Sequence, residues 1–296
     1  MCTPRCETAR ESAPRRRRMA LKFEFTAIDI VKQGRVNRKD IEEIKEWLKY
    51  ENLPDATDEQ VVLFLLSCDS DIEKTKSTIL AYYKYRNIGP NISNNRDINC
   101  KELKHIISTV ESGVIPNRTK ENYMVLFGRL KNFSYWNFHL ESSMKYLFMT
   151  LDMGLQKNPP DGVVALFDMK GMGLMHLTKL RVGPLKIFFH LVQEGLPCQI
   201  RDIHVLNSAY FIDKLLAIIK PFMKKELVDM LHFHQSDIDM EEFFANHLEA
   251  DCVPSDYGGK SPSVEAIAET SLENMKKMTE WFDIEEEMRK NYKPQK

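Results

Sequence analysis

The chain has 296 residues, of which 43% are hydrophobic and 29% charged, and its formal net charge is −1. That is an ordinary globular composition, long enough for one large domain or two modest ones. The near-neutral balance excludes a global field drawing the chain to nucleic acid or membrane, so any such attraction must come from a local patch.

Residues 1–22 hold seven Arg or Lys against two Glu. With no apolar stretch they are not a secretory signal, and they read as a disordered basic leader in preference to a nuclear-import or anionic-surface segment. No apolar run approaches the roughly 18 residues of a membrane span; the longest is Val61–Leu66. Cys2, Cys6, Cys68, Cys100, Cys198 and Cys252 form no CxxC pair. Free thiols and a cytoplasmic location are therefore expected.

Residues 23–100 read as a helical module. Asp40–Tyr50 has apolar residues at 41, 44, 47 and 48, which is helical spacing. Thr57 followed by Gln60 is a capping-box pattern for a helix through Ser67. Asp71 opens another helix, with Ile72, Thr75, Ile79, Tyr82 and Tyr83 on one face. Residues 88–100 form an Asn-rich polar connector.

Residues 101–262 alternate strand and helix. A short helix is predicted over 101–112, a strand over Tyr123–Leu130 and an amphipathic helix over Glu141–Gln156. After the Pro159-Pro160-Asp161-Gly162 turn, Val163–Phe167 reads as a strand buried on both faces. A helix over Leu177–Glu194 follows, then a strand at Ile203–Leu206. The next helix, capped by Ser208 or Asp213, ends before Pro221. A short strand near Phe233 and a helix over Asp239–Glu249 complete the alternation. The pattern predicts an α/β fold with a mostly parallel sheet. Residues 263–296 form a charged, amphipathic helical tail that, with the leader, could serve a protein partner.

Four segments carry a resemblance: FLLSCDSDIEKTKSTILAYYKYR (64–86), GVVALFDMKGMGLMH (162–176), IRDIHVLNSAYFIDKLLAIIKPFM (200–223) and VPSDYGG (253–259). The chain resembles the CRAL-TRIO lipid-binding family over roughly 38–260, and within it the tocopherol-, retinaldehyde- and clavesin-type group. The resemblance implies a helical module followed by an α/β cage, with a mostly parallel sheet floor and a gate helix over an apolar pocket. It implies one bound hydrophobic small molecule or phospholipid, transient membrane contact and no bond-making chemistry. Matching positions suggest Met144, Leu147, Leu151, Phe167, Phe188, Leu191, Val192 and Ile203 as pocket wall. Phe211, Ile212, Leu215, Leu216 and Ile219 would lie on the gate, with hinges at Pro221 and 206–210. Arginines that help form a phosphoinositide surface in tocopherol carriers are replaced here by Leu63, Leu66, Glu226 and Met230. Arg201, Lys220, Lys224 and Lys225 remain and are expected to touch anionic headgroups.

No catalytic residue set assembles: there is no G-x-S-x-G elbow, and Asp168 with His204 or His176 lacks a third partner. Asp168 and His204 read as structural hydrogen-bonding groups. His232 and His234 share one strand face and, with Asp237, Asp239 and His247, read as a histidine-bearing strand near the pocket mouth rather than a metal site. Gly258-Gly259-Lys260-Ser261 is not a phosphate loop, because Pro254 stands where glycine is required. Tyr82, Tyr83 and Tyr85 read as helix packing, not base stacking. No cofactor, metal or nucleic acid is expected, and the chain is expected to be a monomer.

Overall fold

The computed structural model describes residues 20–290 and residue 292. Most of the expected basic leader lies outside the described residues; Leu21, at its end, is buried. Helix α1 (Ala27–Lys32) is capped by Thr26, and α2 (Arg38–Tyr50) buries Ile41, Ile44 and Leu48. Helix α3 (Asp58–Ser67) opens with the predicted capping box: the Thr57 hydroxyl accepts from Gln60 N–H, and the Gln60 side chain accepts from Thr57 N–H. Asp71 caps α4 (Ile72–Ile88), whose Tyr82, Tyr83 and Tyr85 are buried in helix packing. Two short helices, α5 (Pro90–Ser93) and α6 (Lys101–Ile107), lead into the sheet.

The chain then runs β1 (Val110–Arg118), β2 (Tyr123–Leu130), α7 (Leu140–Gly154), β3 (Gly162–Asp168), α8 (Val182–His190), β4 (Ile200–Leu206), α9 (Ile212–Ile219), α10 (Lys225–Asp229) and β5 (Leu231–Phe233). The strands lie side by side in chain order. β1 and β2 pair antiparallel and every later pair is parallel, so helices connect successive parallel strands as the alternation predicts. Met124, Leu126 and Val163 face the core beneath α7, α8 and the N-terminal helices. Val125, Phe127, Val164, Leu166 and Leu206 face the other way, against Phe243 of α11 (Met240–Asn246) and the segment around Val253.

Three sequence expectations change. The helix predicted over 101–112 stops at Ile107 and is followed by β1, whose Gly113 and Pro116 disguise it. β1 is an edge strand and its register shifts between Val114 and Arg118, where a proline is tolerated. The helix predicted over Leu177–Glu194 is broken. A tight turn covers Leu174–Lys179, α8 begins only at Val182 with Gly183-Pro184 in its first turn, and a π-helical turn covers Leu191–Gly195. Neither Ser208 nor Asp213 caps α9: Phe211 occupies the cap position, without a side-chain bond.

The tail forms α12 (Val264–Lys277), capped by Ser263, and α13 (Thr279–Lys290). α12 lies directly on β1, because a Cβ on Gly113 would come within 2.6 Å of Ile267. Ile267, Met275 and Phe282 are buried against the chain's own sheet and helices. Much of the tail's apolar face is thus covered by the chain itself, while Trp281 and Ile284 stay partly exposed.

Candidate functional site

Alternation along β4 and β5 sorts side chains onto two faces. Ile203, Val205 and Phe233 face the segment that carries α9, clustering with Met169, Phe211, Ile212 and Leu215. His204, His232 and His234 face the opposite side, toward Phe243 and His247.

Helix α9 is the unusual element. Ile212, Leu215, Leu216 and Ile219 recur at helical spacing, yet the helix buries none of its residues fully. Those four are half-buried, while Asp213, Lys214 and Lys220 are exposed. The stripe packs on the sheet side, Ile212 and Leu215 against Val205 and Met169, while the opposite side of the helix stays open to solvent. Phe211 differs from the other residues expected on the gate. It is buried against Met169 and Val205 and anchors the start of α9. Pro221 sits in the tight turn Lys220–Phe222 that ends the helix.

The expected wall residues divide the same way. Met144, Leu151 and Leu191 are buried in the main core. Leu147, Phe167, Phe188, Val192 and Ile203 keep partial exposure. Around them Met172, Leu180, Ile187, Ile200 and Met230 are also only partly buried.

A set of hydrogen bonds that no local pattern announces ties down the segment after α9. Gln193, in the π-helical turn, donates to the carbonyls of Phe189 (2.9 Å) and Phe222 (3.1 Å) and accepts from Lys224 N–H. Next to it, Glu194 pairs with Lys224 at 3.0 Å and accepts from the Tyr85 hydroxyl of α4 at 3.1 Å. Burial would raise the Glu194 carboxyl, but Lys224, Tyr85 and His190 outweigh it and hold it below the ordinary range.

Two of the four expected headgroup cations are already committed. Arg201 donates to the Asp161 carbonyl at 3.1 Å and lies over the Tyr123 ring. Lys224 is engaged by Glu194. Lys220 and Lys225 are exposed.

Asp168 is a structural junction. Its carboxylate accepts from Lys170 N–H (2.7 Å), the Asn207 amide (2.8 Å) and the Tyr257 hydroxyl (2.6 Å). It ties together the turn after β3, the hinge before α9 and the closing segment VPSDYGG. That segment needs its glycines: Gly258 has φ +77°, and a Cβ on Gly259 would stand 2.0 Å from the Val253 carbonyl.

The histidine strand turns its rings away from α9. His232 pairs with His204 across β4–β5, and both point to the face opposite α9. His204 Nδ1 lies 3.1 Å from His234 Nε2, and His232 reaches Asp202 at 2.8 Å. Among the described residues, no group of three His, Cys, Asp or Glu is placed to hold a metal ion. A separate surface cleft of about 900 Å³ lies between residues 20–24, β1, the end of α7 and the tail helices. Its lining mixes charged groups such as Lys22, Arg118 and Glu280 with apolar ones such as Phe23, Ile115, Met278 and Trp281.

The family comparison matches this architecture. The CRAL/TRIO domain covers residues 109–259, and a Pinta-like UBA domain covers 34–103, within the predicted helical module. The chain belongs to the CRAL/TRIO family. It is similar to the human (Homo sapiens) alpha-tocopherol transfer protein-like protein, 24% identical over 226 residues, which cover 75% of this chain and 65% of that one. It is also similar to clavesin-1 of Xenopus laevis, 21% identical, covering 70% and 62% respectively. The chain thus spans a little under two thirds of the length of these curated relatives. The crystal structure of Sfh5 shares the fold, with a TM-score of 0.52 and 12% identity over 90% of this chain and all of that one. Among the described residues no helix is long and apolar enough to cross a membrane.

Proposed function

We propose that this chain binds one hydrophobic ligand between the front of the sheet and α9, and carries it between membranes in the cytoplasm without chemical conversion. The observation that carries the reading is α9 itself, an apolar helix with no fully buried residue, whose Ile212 and Leu215 cluster with half-buried Ile203 and Phe233 of the sheet. Each methylene moved from water into such a space contributes about 0.8 kcal/mol, ample to hold a long lipid. A helix this short is marginal in water by itself, so the cover is held by its end contacts and opens at modest cost. Cargo belongs to the class of tocopherols, retinoids or phosphoinositide-like lipids.

Native mass spectrometry of the gently purified chain, followed by uptake from a panel of those lipids, tests the reading. A one-to-one lipid adduct is expected, and Ile203→Trp should lose it by filling the space. No adduct and no uptake would defeat the carrier reading. Gln193→Ala is expected to leave the adduct intact but raise the rate of lipid exchange roughly fivefold to thirtyfold, because two hydrogen bonds of about 1 kcal/mol each are lost from the closed state. Exchange of a fluorescent lipid measured by stopped flow reads this directly; an unchanged rate would remove Gln193 as a latch.

A further inference from the structure

The loops that follow β2, β3 and β4 all emerge at one end of the sheet, where its parallel strands finish. This rim concentrates the large apolar side chains that the fold leaves in water. Phe133 is 53% exposed, Trp136 67%, Met175 50%, Val182 63% and Tyr210 87%.

The three loops form one surface. A Cβ on Gly171, whose φ is +82°, would lie 2.1 Å from the Phe133 ring, so glycine lets the first loop pack onto the second. Tyr135 lies against Trp136 at 4.1 Å, and the Lys179 ammonium sits about 5.5 Å above both rings. Met172 and Leu177 of the second loop pack with Phe211 and Ala209 of the third, and Asn207 bonds to Asp168.

The charge of the rim is one-sided. Segments 131–139, 169–182 and 207–214 contain Lys131, Lys170, Lys179, Arg181 and Lys214 but a single carboxylate, Asp213. Lys131 is paired with Glu111 at 3.3 Å, whereas Arg181 is 74% exposed and reaches Glu141 only at 3.5 Å. Exposed Trp and Tyr interleaved with cations is the composition that settles at the boundary between lipid headgroups and acyl chains. An apolar patch with a basic fringe complements an anionic bilayer better than it does a neutral surface.

We propose that this rim is the surface by which the protein docks on an anionic bilayer. Trp136, Phe133, Met175 and Tyr210 seat in the interfacial layer, and Lys170, Lys179, Arg181 and Lys214 meet phosphate oxygens. Docking here puts Tyr210 and the hinge before α9 in the headgroup layer, at the opposite end of the sheet from Arg201 and Lys224. The use made of docking rests on the carrier reading; the docking surface itself does not.

The full chain is tested by flotation with phosphatidylcholine vesicles, with and without phosphatidylserine, and by quenching of its tryptophans with phosphatidylcholine brominated along the acyl chains. Anionic vesicles should bind more tightly. Lys179→Glu with Arg181→Glu should weaken that binding at least about tenfold, and Lys170→Glu with Lys214→Glu, on separate loops, guards against misfolding of the first pair. Trp136→Phe should remove the quenching although Trp47 and Trp281 remain, whereas Lys220→Glu with Lys225→Glu should change nothing. Binding that ignores both rim pairs, or that follows Lys220 and Lys225, overturns the proposal, as does quenching that survives Trp136→Phe. Rim-dependent flotation of a chain with no lipid adduct upholds this surface and defeats the carrier reading. A lipid adduct in a chain that does not dock through the rim does the reverse.

Discussion

Glu285→Ala is expected to destabilise the protein by about 3–5 kcal/mol, the usual cost of removing one partner from a buried ion network. Glu285 is 2% exposed, and it accepts from the Tyr82 hydroxyl at 2.6 Å, from Arg289 Nε at 2.6 Å and from Arg96. Asp152, 4% exposed, accepts from both terminal nitrogens of Arg86 (3.0 and 2.8 Å) and from Arg96 at 3.2 Å. Burial alone would raise the Glu285 carboxyl, but Arg96, Arg289 and Arg86 hold it well below the ordinary range. Without it three buried guanidiniums share one carboxylate, and desolvation that had been compensated is exposed in full. The network joins α4, the connector at Arg96, α7 and α13. The loss should therefore appear as cooperative unfolding, with a melting temperature lower by roughly 10 °C. Urea denaturation is the measurement. Glu285→Gln, which keeps hydrogen bonding without the charge, should fall between wild type and alanine. Glu280→Ala, exposed on the same helix, should stay within about 0.5 kcal/mol. A cost below about 1 kcal/mol for Glu285→Ala would show that the network does not hold the tail in place.

That network also marks where sequence reading runs out. The capping box at Thr57, the buried strand β3 and the apolar stripe of α9 are local patterns, with neighbours three or four residues apart or alternating along a strand. Tyr82 and Glu285 are 203 residues apart and Arg96 and Glu285 are 189 apart, and nothing in either neighbourhood names the partner. Arg96, set in a connector that reads as polar and solvated, is 3% exposed. The wall residues fail in a different way. Helical spacing puts Met144, Leu147 and Leu151 on one face, but it does not say which of them is fully enclosed and which keeps partial exposure. Burial separates them: Met144 and Leu151 are core, Leu147 is not. The contacts of Gln193 were hidden because the expected unbroken helix does not contain the π-helical turn from which it reaches Phe222 and Lys224.

Acidification is expected to cost roughly 2–3 kcal/mol of stability per pH unit between about pH 6.5 and pH 4. His204, 1% exposed, has its ring 5.0 Å from His232, 5.3 Å from His234 and 5.2 Å from His247. Burial first, and then the charge the neighbouring rings would carry, push His204 down to about 3 and His234 down to about 4. The unfolded chain takes up protons near pH 6.5 that the folded protein refuses. Stability is therefore complete above that pH and is lost as pH falls through the window, by up to about 1.4 kcal/mol per unit for each ring. Glu285 adds loss of the same sign, but only once pH falls through the ordinary carboxylate range. Urea midpoints at pH 7.5, 6.5, 5.5 and 5.0 measure the slope. His204→Phe, which removes one of the refused protons, should flatten it by about half. A midpoint independent of pH, or an equal slope in the variant, would remove the histidines as its source. The position of the cluster extends the consequence to the ligand, because His204 lies between Ile203 and Val205 on one three-residue stretch of β4. Whatever loosens the β4–β5 pair from behind also loosens the floor beneath α9. On the carrier reading proposed above, ligand release at pH 5 is therefore expected to be faster than at pH 7 in the wild type, and the acceleration smaller in His204→Phe.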